Sequence, residues 1–288
     1  MFGGTGMLGR AFGHALTRRS EHAQIVGYAS SRADFCDPAL FDRTLDKHVE
    51  LVINCAAFTD VDGAESKSSL AMEVNGHAVG RLAQRCAELD IPLVHISTDY
   101  IFDGERDGAY AIDAEANPLN VYGESKLLGE RLVREAGGEH LIARTGWLHA
   151  SWGKNFVRTI YRLSAEQESL RVVSDQLGKP SSATQVAAST LALLDRRHRG
   201  TFHVCGGGSC SWFELAREIV RQAGHDCDVS ACTSAAYSSH AERPRNCVLD
   251  LAETTRRIGP MNHWRDELLN TITEIENGTR TAPRREAA

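Results

Sequence analysis

Tyr122 and Lys126 stand four residues apart in "YGESK", a spacing that puts both side chains on one face of a helix. An ammonium beside a phenol favours the phenolate and draws its pKa down from about 10. A tyrosine so placed becomes a usable acid or base near neutrality. A pair of this kind is common, and in isolation it usually decorates a helix surface. Its position gives it weight. Upstream, "PLVHIS" (92–97) reads as a strand running out into "STDYIFDG", so Thr98 and Asp99 fall where that strand leaves a sheet. A hydroxyl there can donate to a carbonyl oxygen while Tyr122 delivers the proton. Two donors on one oxygen, with a hydride arriving at the carbon, make a ketone reductase.

A hydride donor needs a cradle, and the chain opens on a candidate for one. "MFGGTGMLGR" carries glycines at a fixed interval, Gly3, Gly6 and Gly9. The spacing differs from G-x-G-x-x-G but serves the same physics. The first glycine allows a tight turn, the second a close approach of backbone to a pyrophosphate, and the third close packing of the following helix. The helix N-terminus then presents free N–H groups to phosphate. A plain glycine-rich turn would look the same in isolation. The strand-like "QIVGYA" (24–29) and the alternation behind it favour a dinucleotide site. About 20 residues past the turn, where a carboxylate would hold a ribose 2′-hydroxyl, stand Tyr28, Ala29, Ser30, Ser31 and Arg32. Hydroxyls and a cation with no carboxylate favour a 2′-phosphate, hence NADPH over NADH.

The elements that must position these groups alternate. A helix is expected over 7–19, strands over 24–29, 51–57, 92–97 and 140–145, and helices over 38–48, 69–89 and 121–137. That order predicts an α/β fold, a doubly wound parallel sheet whose strand C-termini share the ligand-binding edge. The second half is less regular, with helices over 155–166, 183–197 and 211–224 and strands over 169–175 and 201–206. Asp60, Asp62 and Glu65 lie near a helix start, where carboxylates complement the dipole rather than imply a metal.

The 288 residues are 42% hydrophobic, enough for one large or two modest cores, and the net charge of −6 argues against a nucleic-acid coat. A basic cluster at Arg196, Arg197 and Arg199 is local. No apolar run reaches the about 20 residues of a membrane span, and no charged-then-apolar leader opens the chain. The eight cysteines include Cys205/Cys210 and Cys227/Cys232, with His203 and His225 nearby. They read as reduced cytoplasmic thiols rather than a zinc site.

"GGTGMLG", "NCAAFTDVDGAE", "HISTDYIFDG", "NPLNVYGESKLLGE", "RTGWLH", "DQLGKPSSA" and "RPRNCVLD" together resemble the extended short-chain dehydrogenase/reductase superfamily, and within it the dTDP-4-dehydrorhamnose reductase family, over residues 3–275. The resemblance implies a Rossmann-like dinucleotide-binding domain over 1–150 and a smaller, mainly substrate-binding α/β part over 151–288, intertwined with the first. It implies reduction of the C4 ketone of a nucleotide-linked 6-deoxy sugar by NADPH or NADH. Thr98, Tyr122 and Lys126 would form the catalytic set, with Lys126 also on the cofactor ribose. Gly3, Gly6, Met7 and Leu8 would meet the pyrophosphate. Asp34 and Phe35 would flank the adenine, and Ala57, Phe58 and Thr59 would line the cofactor channel. Asp99 and Trp147 would touch the sugar nucleotide, with Thr98 beside them, and "DQLGKPSSA" would border the cleft. Some relatives use an interfacial magnesium whose ligands find no match here, so no metal is placed, and a homodimer is left open. Nucleic-acid and membrane partners are not expected.

Two readings compete with this one. An epimerase or dehydratase of the same superfamily shares the Tyr/Lys pair, and a non-catalytic partner of methionine adenosyltransferase shares the fold. One departure stands out. In the family an apolar strand, central in the sheet, precedes the glycine turn; only Met1 and Phe2 do so here. The expectation is a start assigned too late. Without that strand, two sheet neighbours lose a shared partner, with poor solubility and weak cofactor binding.

Overall fold

The computed structural model describes residues 1–19, 24–27, 34–236 and 240–281. Its first half runs through helix α1 (Met7–Arg19), α2 (Leu40–Thr44), strand β1 (Val52–Asn54), helices α3 (Val61–Ser66), α4 (Ser68–Met72) and α5 (Ala78–Glu88), β2 (Leu93–Thr98), α6 (Val121–Glu135), β3 (His140–Thr145) and β4 (Leu148–His149). There follow α7 (Phe156–Glu166), β5 (Ser169–Val173), β6 (Leu177–Gly178), β7 (Ser181–Ser182), α8 (Ala183–Asp195), β8 (Gly200–His203), β9 (Cys210–Ser211), α9 (Trp212–Ala223), β10 (Asp228–Cys232), α10 (Ala252–Ile258) and α11 (Trp264–Thr281).

The main sheet is parallel, in the order β1-β2-β3-β8. Its strands are apolar on both faces because both faces are covered. Ile53, Val94, Ile96, Leu141, Ala143 and Phe202 turn toward α1 and α8, where Leu8, Phe12, Val186 and Leu191 meet them. The alternate residues Val52, Leu93 and Ile142 turn toward α2 and α5 and pack on Phe41, Val79, Leu82 and Cys86. This is the doubly wound α/β architecture that the alternation predicts. A separate core joins α7, α9 and α11 to β5 and β10 around Leu215, Ile219 and the fully buried Trp264.

Phe2 stands beside β1 at the place of the strand that should deliver the chain to the glycine turn. Its N–H donates to Ile53 O and its carbonyl accepts from Cys55 N, a single parallel bridge to Asn54. On its other side the Met1 ammonium donates to Val26 O at 2.8 Å. Residues 24–27 carry no strand assignment, contrary to the expectation over 24–29. Tyr28 to Arg32, on which the reading of cofactor preference rests, lie outside the described residues.

The helix expected over 69–89 is broken by a π turn at Glu73–His77. This bulge turns Asn75 inward, fully buried. The Asn75 amide brackets the backbone of Phe58, accepting from its N–H at 2.8 Å and donating to its carbonyl at 3.0 Å, and donates to Ser125 Oγ on α6 at 2.9 Å. Gly129 completes the contact: a Cβ there would lie 2.3 Å from Asn75 O.

Candidate active site

The C-terminal edge of the sheet opens into one cavity of about 1170 Å³. Gly3, Gly6, Met7, Leu8, Asp34, Phe35, Ala57, Phe58, Thr59, Thr98, Asp99, Tyr122, Lys126 and Trp147 line it, whereas "DQLGKPSSA" (175–183), expected to border the cleft, contributes no lining residue.

The glycine turn is built for an uncovered backbone. Gly3 has φ +72°, and a Cβ there would come within 2.6 Å of the Cys55 and Ala56 backbone. A Cβ on Gly9 would lie 2.2 Å from Gly3 O, so the third glycine seals the turn itself. A Cβ on Gly6 would meet only Gly3 O, at 3.2 Å, and nothing else within 4 Å. That glycine leaves open space where backbone N–H groups at the start of α1 can face an anion. The side chain of Leu8 is buried in the core, so its part in the cavity is backbone. Phe35 stands edge-on to Phe2 and Phe41, with centroids 5.6 and 5.5 Å away. Asp34 accepts from Cys36 N.

The chemistry sits at the end of β2. Thr98 closes the strand, and its hydroxyl donates to Asp99 Oδ1 at 2.9 Å while accepting from Tyr100 N. Helix α6 begins at an Asn120 cap, whose side chain accepts from Gly123 N at 2.8 Å. Its first turns carry Tyr122 and Lys126 to the same cavity. The Thr98 hydroxyl hydrogen-bonds the Tyr122 phenol and favours its ionisation, but burial outweighs this and pushes the phenol up to about 12. Lys126, 3% exposed, donates from Nζ to Ile96 O at 2.5 Å, and burial brings it down to about 8. The sequence expectation that the ammonium lowers the phenol's pKa is therefore corrected for the protein without ligands. Lys126 is anchored on a backbone carbonyl, and the groups that act on Tyr122 are Thr98, which draws the phenol down, and Asp99, whose charge pushes it up. The Lys126 ammonium carries three N–H donors, of which one is engaged by Ile96 O among the described residues.

Asp99 is 2% exposed, and burial raises its carboxyl to about 7. Its Oδ2 has no partner among the described residues. The backbone of Gly146 crowds that oxygen so closely that a Cβ there would lie 2.1 Å away. Behind the site, Glu130 is fully buried and takes two 2.9 Å hydrogen bonds from Arg144 and one of 2.6 Å from Arg134. Burial pushes the Glu130 carboxyl up, but these guanidinium bonds hold it below the ordinary carboxylate range.

Several contributors had no clear signal in the sequence. Asn75 acts through a π turn that helical periodicity does not announce. Asp62 fastens residues 240–243: its Oδ1 accepts from His240 N and Ala241 N, and its Oδ2 accepts from Arg243 Nη2 at 2.8 Å. Arg243 in turn hydrogen-bonds Tyr100, whose ring stands edge-on to Tyr122 at 6.0 Å. Glu65 accepts from Val121 N at the start of the catalytic helix. Of the three carboxylates expected to complement a dipole, Asp60 caps α3 and Asp62 stands in its first turn. Trp212 lines the cavity from the second half of the chain.

A family model described as the RmlD substrate binding domain matches residues 1–277. A dTDP-4-dehydrorhamnose reductase from Mycobacterium tuberculosis is 36% identical over 284 residues, covering 96% of this chain and 93% of that protein. Among solved structures, a dTDP-4-dehydrorhamnose reductase from Clostridium acetobutylicum superposes with a TM-score of 0.91 at 32% identity, covering 96% of this chain and 98% of the other. One from Bacillus anthracis, solved in complex with NADP, gives 0.90 at 32% identity, covering 95% and 97%.

Proposed function

The chain belongs to the RmlD substrate binding domain family, and on that footing we propose that it reduces the C4 ketone of dTDP-4-dehydrorhamnose to give dTDP-L-rhamnose. The cavity suits a dinucleotide. Gly6 leaves space over the start of α1, Phe35 offers a ring at the far end of the turn, and Lys126 keeps donors free for a ribose. A bound reduced nicotinamide supplies the hydride that goes to C4. NADPH is the preferred form on this reading, and the Bacillus anthracis relative was solved with NADP.

The protein's residues supply the proton and hold the oxygen. Tyr122, protonated at neutrality because burial holds its pKa near about 12, donates O–H to the C4 oxygen as negative charge grows there. Thr98, whose hydroxyl proton rests on Asp99 Oδ1 at 2.9 Å, turns it to the same oxygen. Lys126, held by Ile96 O, turns its remaining N–H donors to the cofactor ribose. The carbonyl π pair becomes the new O–H bond, hydride forms the C–H bond, and Tyr122 recovers its proton from solvent before the next turnover. Asp99 and Trp147 contact the sugar.

What supports this most is the meeting of Thr98, Tyr122 and Lys126 with an uncovered glycine turn in one cavity. The eight free thiols fit a reducing cytoplasm. The test is stoichiometry: one NADPH consumed for each dTDP-L-rhamnose formed. A dehydratase or epimerase would transform a nucleotide sugar with no net consumption of the dinucleotide.

A further inference from the structure

Trp147 has φ +47°. A bulky side chain enters the left-handed region only where its surroundings over-determine it. Two contacts do so. The indole lies flat on Trp212, with ring centroids 3.5 Å apart and planes inclined by 5°. It also presses on Gly178, where a Cβ would fall 2.2 Å from Trp147 Cε2 and 2.5 Å from Nε1. "DQLGKPSSA" thus requires its glycine because an indole occupies the place of a side chain.

Trp212 is itself fixed. It is the first residue of α9, directly after a capping box in which Glu214 N donates to Ser211 Oγ at 3.1 Å and Ser211 N donates to Glu214 Oε2 at 2.7 Å. The antiparallel pairing of β6 with β9 sets Gly178 opposite Cys210, two residues before Trp212. Phe156 leans on the Trp212 indole, with centroids 4.5 Å apart and planes inclined by 50°. Trp147, Phe156 and Trp212 all face the cavity.

We infer that Trp212 is a positioning residue for the nucleotide sugar: it holds the Trp147 indole in the one orientation that presents a ring surface to the substrate. This rests on the reading that Trp147 touches the sugar nucleotide. A pre-set ring binds without first giving up its rotational freedom. Trp212 plays no part in proton or hydride transfer, so its effect belongs to one ligand only.

The test compares Trp212→Ala, Trp212→Phe and Trp147→Ala in the full chain. KM is measured for dTDP-4-dehydrorhamnose and for NADPH, together with the circular dichroism couplet of two stacked indoles. Trp212→Ala should raise KM for the sugar nucleotide about 3- to 10-fold, the value of an aromatic pair, and abolish the couplet. KM for NADPH should move by less than about twofold. Trp212→Phe should restore most of the affinity but not the couplet. Where Trp212→Ala is insoluble, Gly178→Ala carries the test, since its methyl group displaces Trp147 without removing a ring from α9. An unchanged sugar KM in Trp212→Ala or Gly178→Ala, or a parallel rise in both KM values, overturns the inference. A Trp147→Ala variant with an unchanged sugar KM removes the reading of Trp147 beneath it. Loss in Trp147→Ala with none in Trp212→Ala sinks the role of Trp212 alone.

Discussion

Asp99 should weaken the fold wherever it carries charge. Its carboxyl is raised by burial to about 7, against 3.8 for a free side chain. Between those values the folded protein holds a proton that the unfolded chain has released, so stability falls as pH rises from about 4 to about 7 and stays lower above. The gap of about three units corresponds to about 4 kcal/mol. Roughly 2–3 kcal/mol of it develops between about pH 5 and about pH 8. Asp99→Asn removes the titration. The amide oxygen can still accept from Thr98, while the amide nitrogen replaces the partnerless Oδ2 and costs about 1–3 kcal/mol at every pH. Urea unfolding of both proteins at the two pH values isolates the charge, because all other titrations cancel in the double difference. The variant should gain roughly 2–3 kcal/mol on the wild type between about pH 5 and about pH 8, while losing turnover. An equal difference at both pH values would refute the reasoning, since Asp99 would then be ionised throughout.

Gly9→Ala should abolish NADPH binding, as measured by titration calorimetry, because its Cβ would meet Gly3 O at 2.2 Å and Gly4 Cα at 2.8 Å. Glu130→Gln leaves Arg144, 5% exposed, without its charge partner, a loss of about 3–5 kcal/mol in denaturant unfolding; adding Arg144→Met should recover much of it. Arg243→Ala frees Tyr100 from its guanidinium partner and leaves the 240–243 segment held on Asp62 only through the N–H groups of His240 and Ala241. It should lower kcat about 10- to 100-fold through misplacement of Tyr122, with Tyr100→Phe showing a smaller loss in the same steady-state assay.

Local signals carried much of this arrangement. Helix α1 and strand β3 fall over 7–19 and 140–145, where apolar spacing and β-branched content put them, and α9 begins at its Ser211–Glu214 box. The Tyr122/Lys126 spacing placed both groups in the cavity. What the sequence did not reveal depends on contacts made at long range. The phenol's pKa follows from burial, which spacing does not report. Lys126 is held by the carbonyl of Ile96, a backbone group identical at every residue. Asn75 reads as an ordinary helical position until a bulge turns it inward. The clasp between Asp62 and Arg243 and the stack of Trp147 on Trp212 join residues far apart in the chain, so neither has a periodicity to read. Residues 24–27, within the strand expected over 24–29, form no strand, since composition alone does not make a ladder.

The account stands or falls on Tyr122 as the proton donor. The direct measurement is single-turnover oxidation of NADPH by dTDP-4-dehydrorhamnose in wild type and Tyr122→Phe, each first shown to bind NADPH equally. The account predicts a rate lower by about 10²- to 10⁴-fold in the variant, the usual contribution of a positioned general acid. A Tyr122→Phe protein that reduces the ketone at the wild-type rate would contradict it.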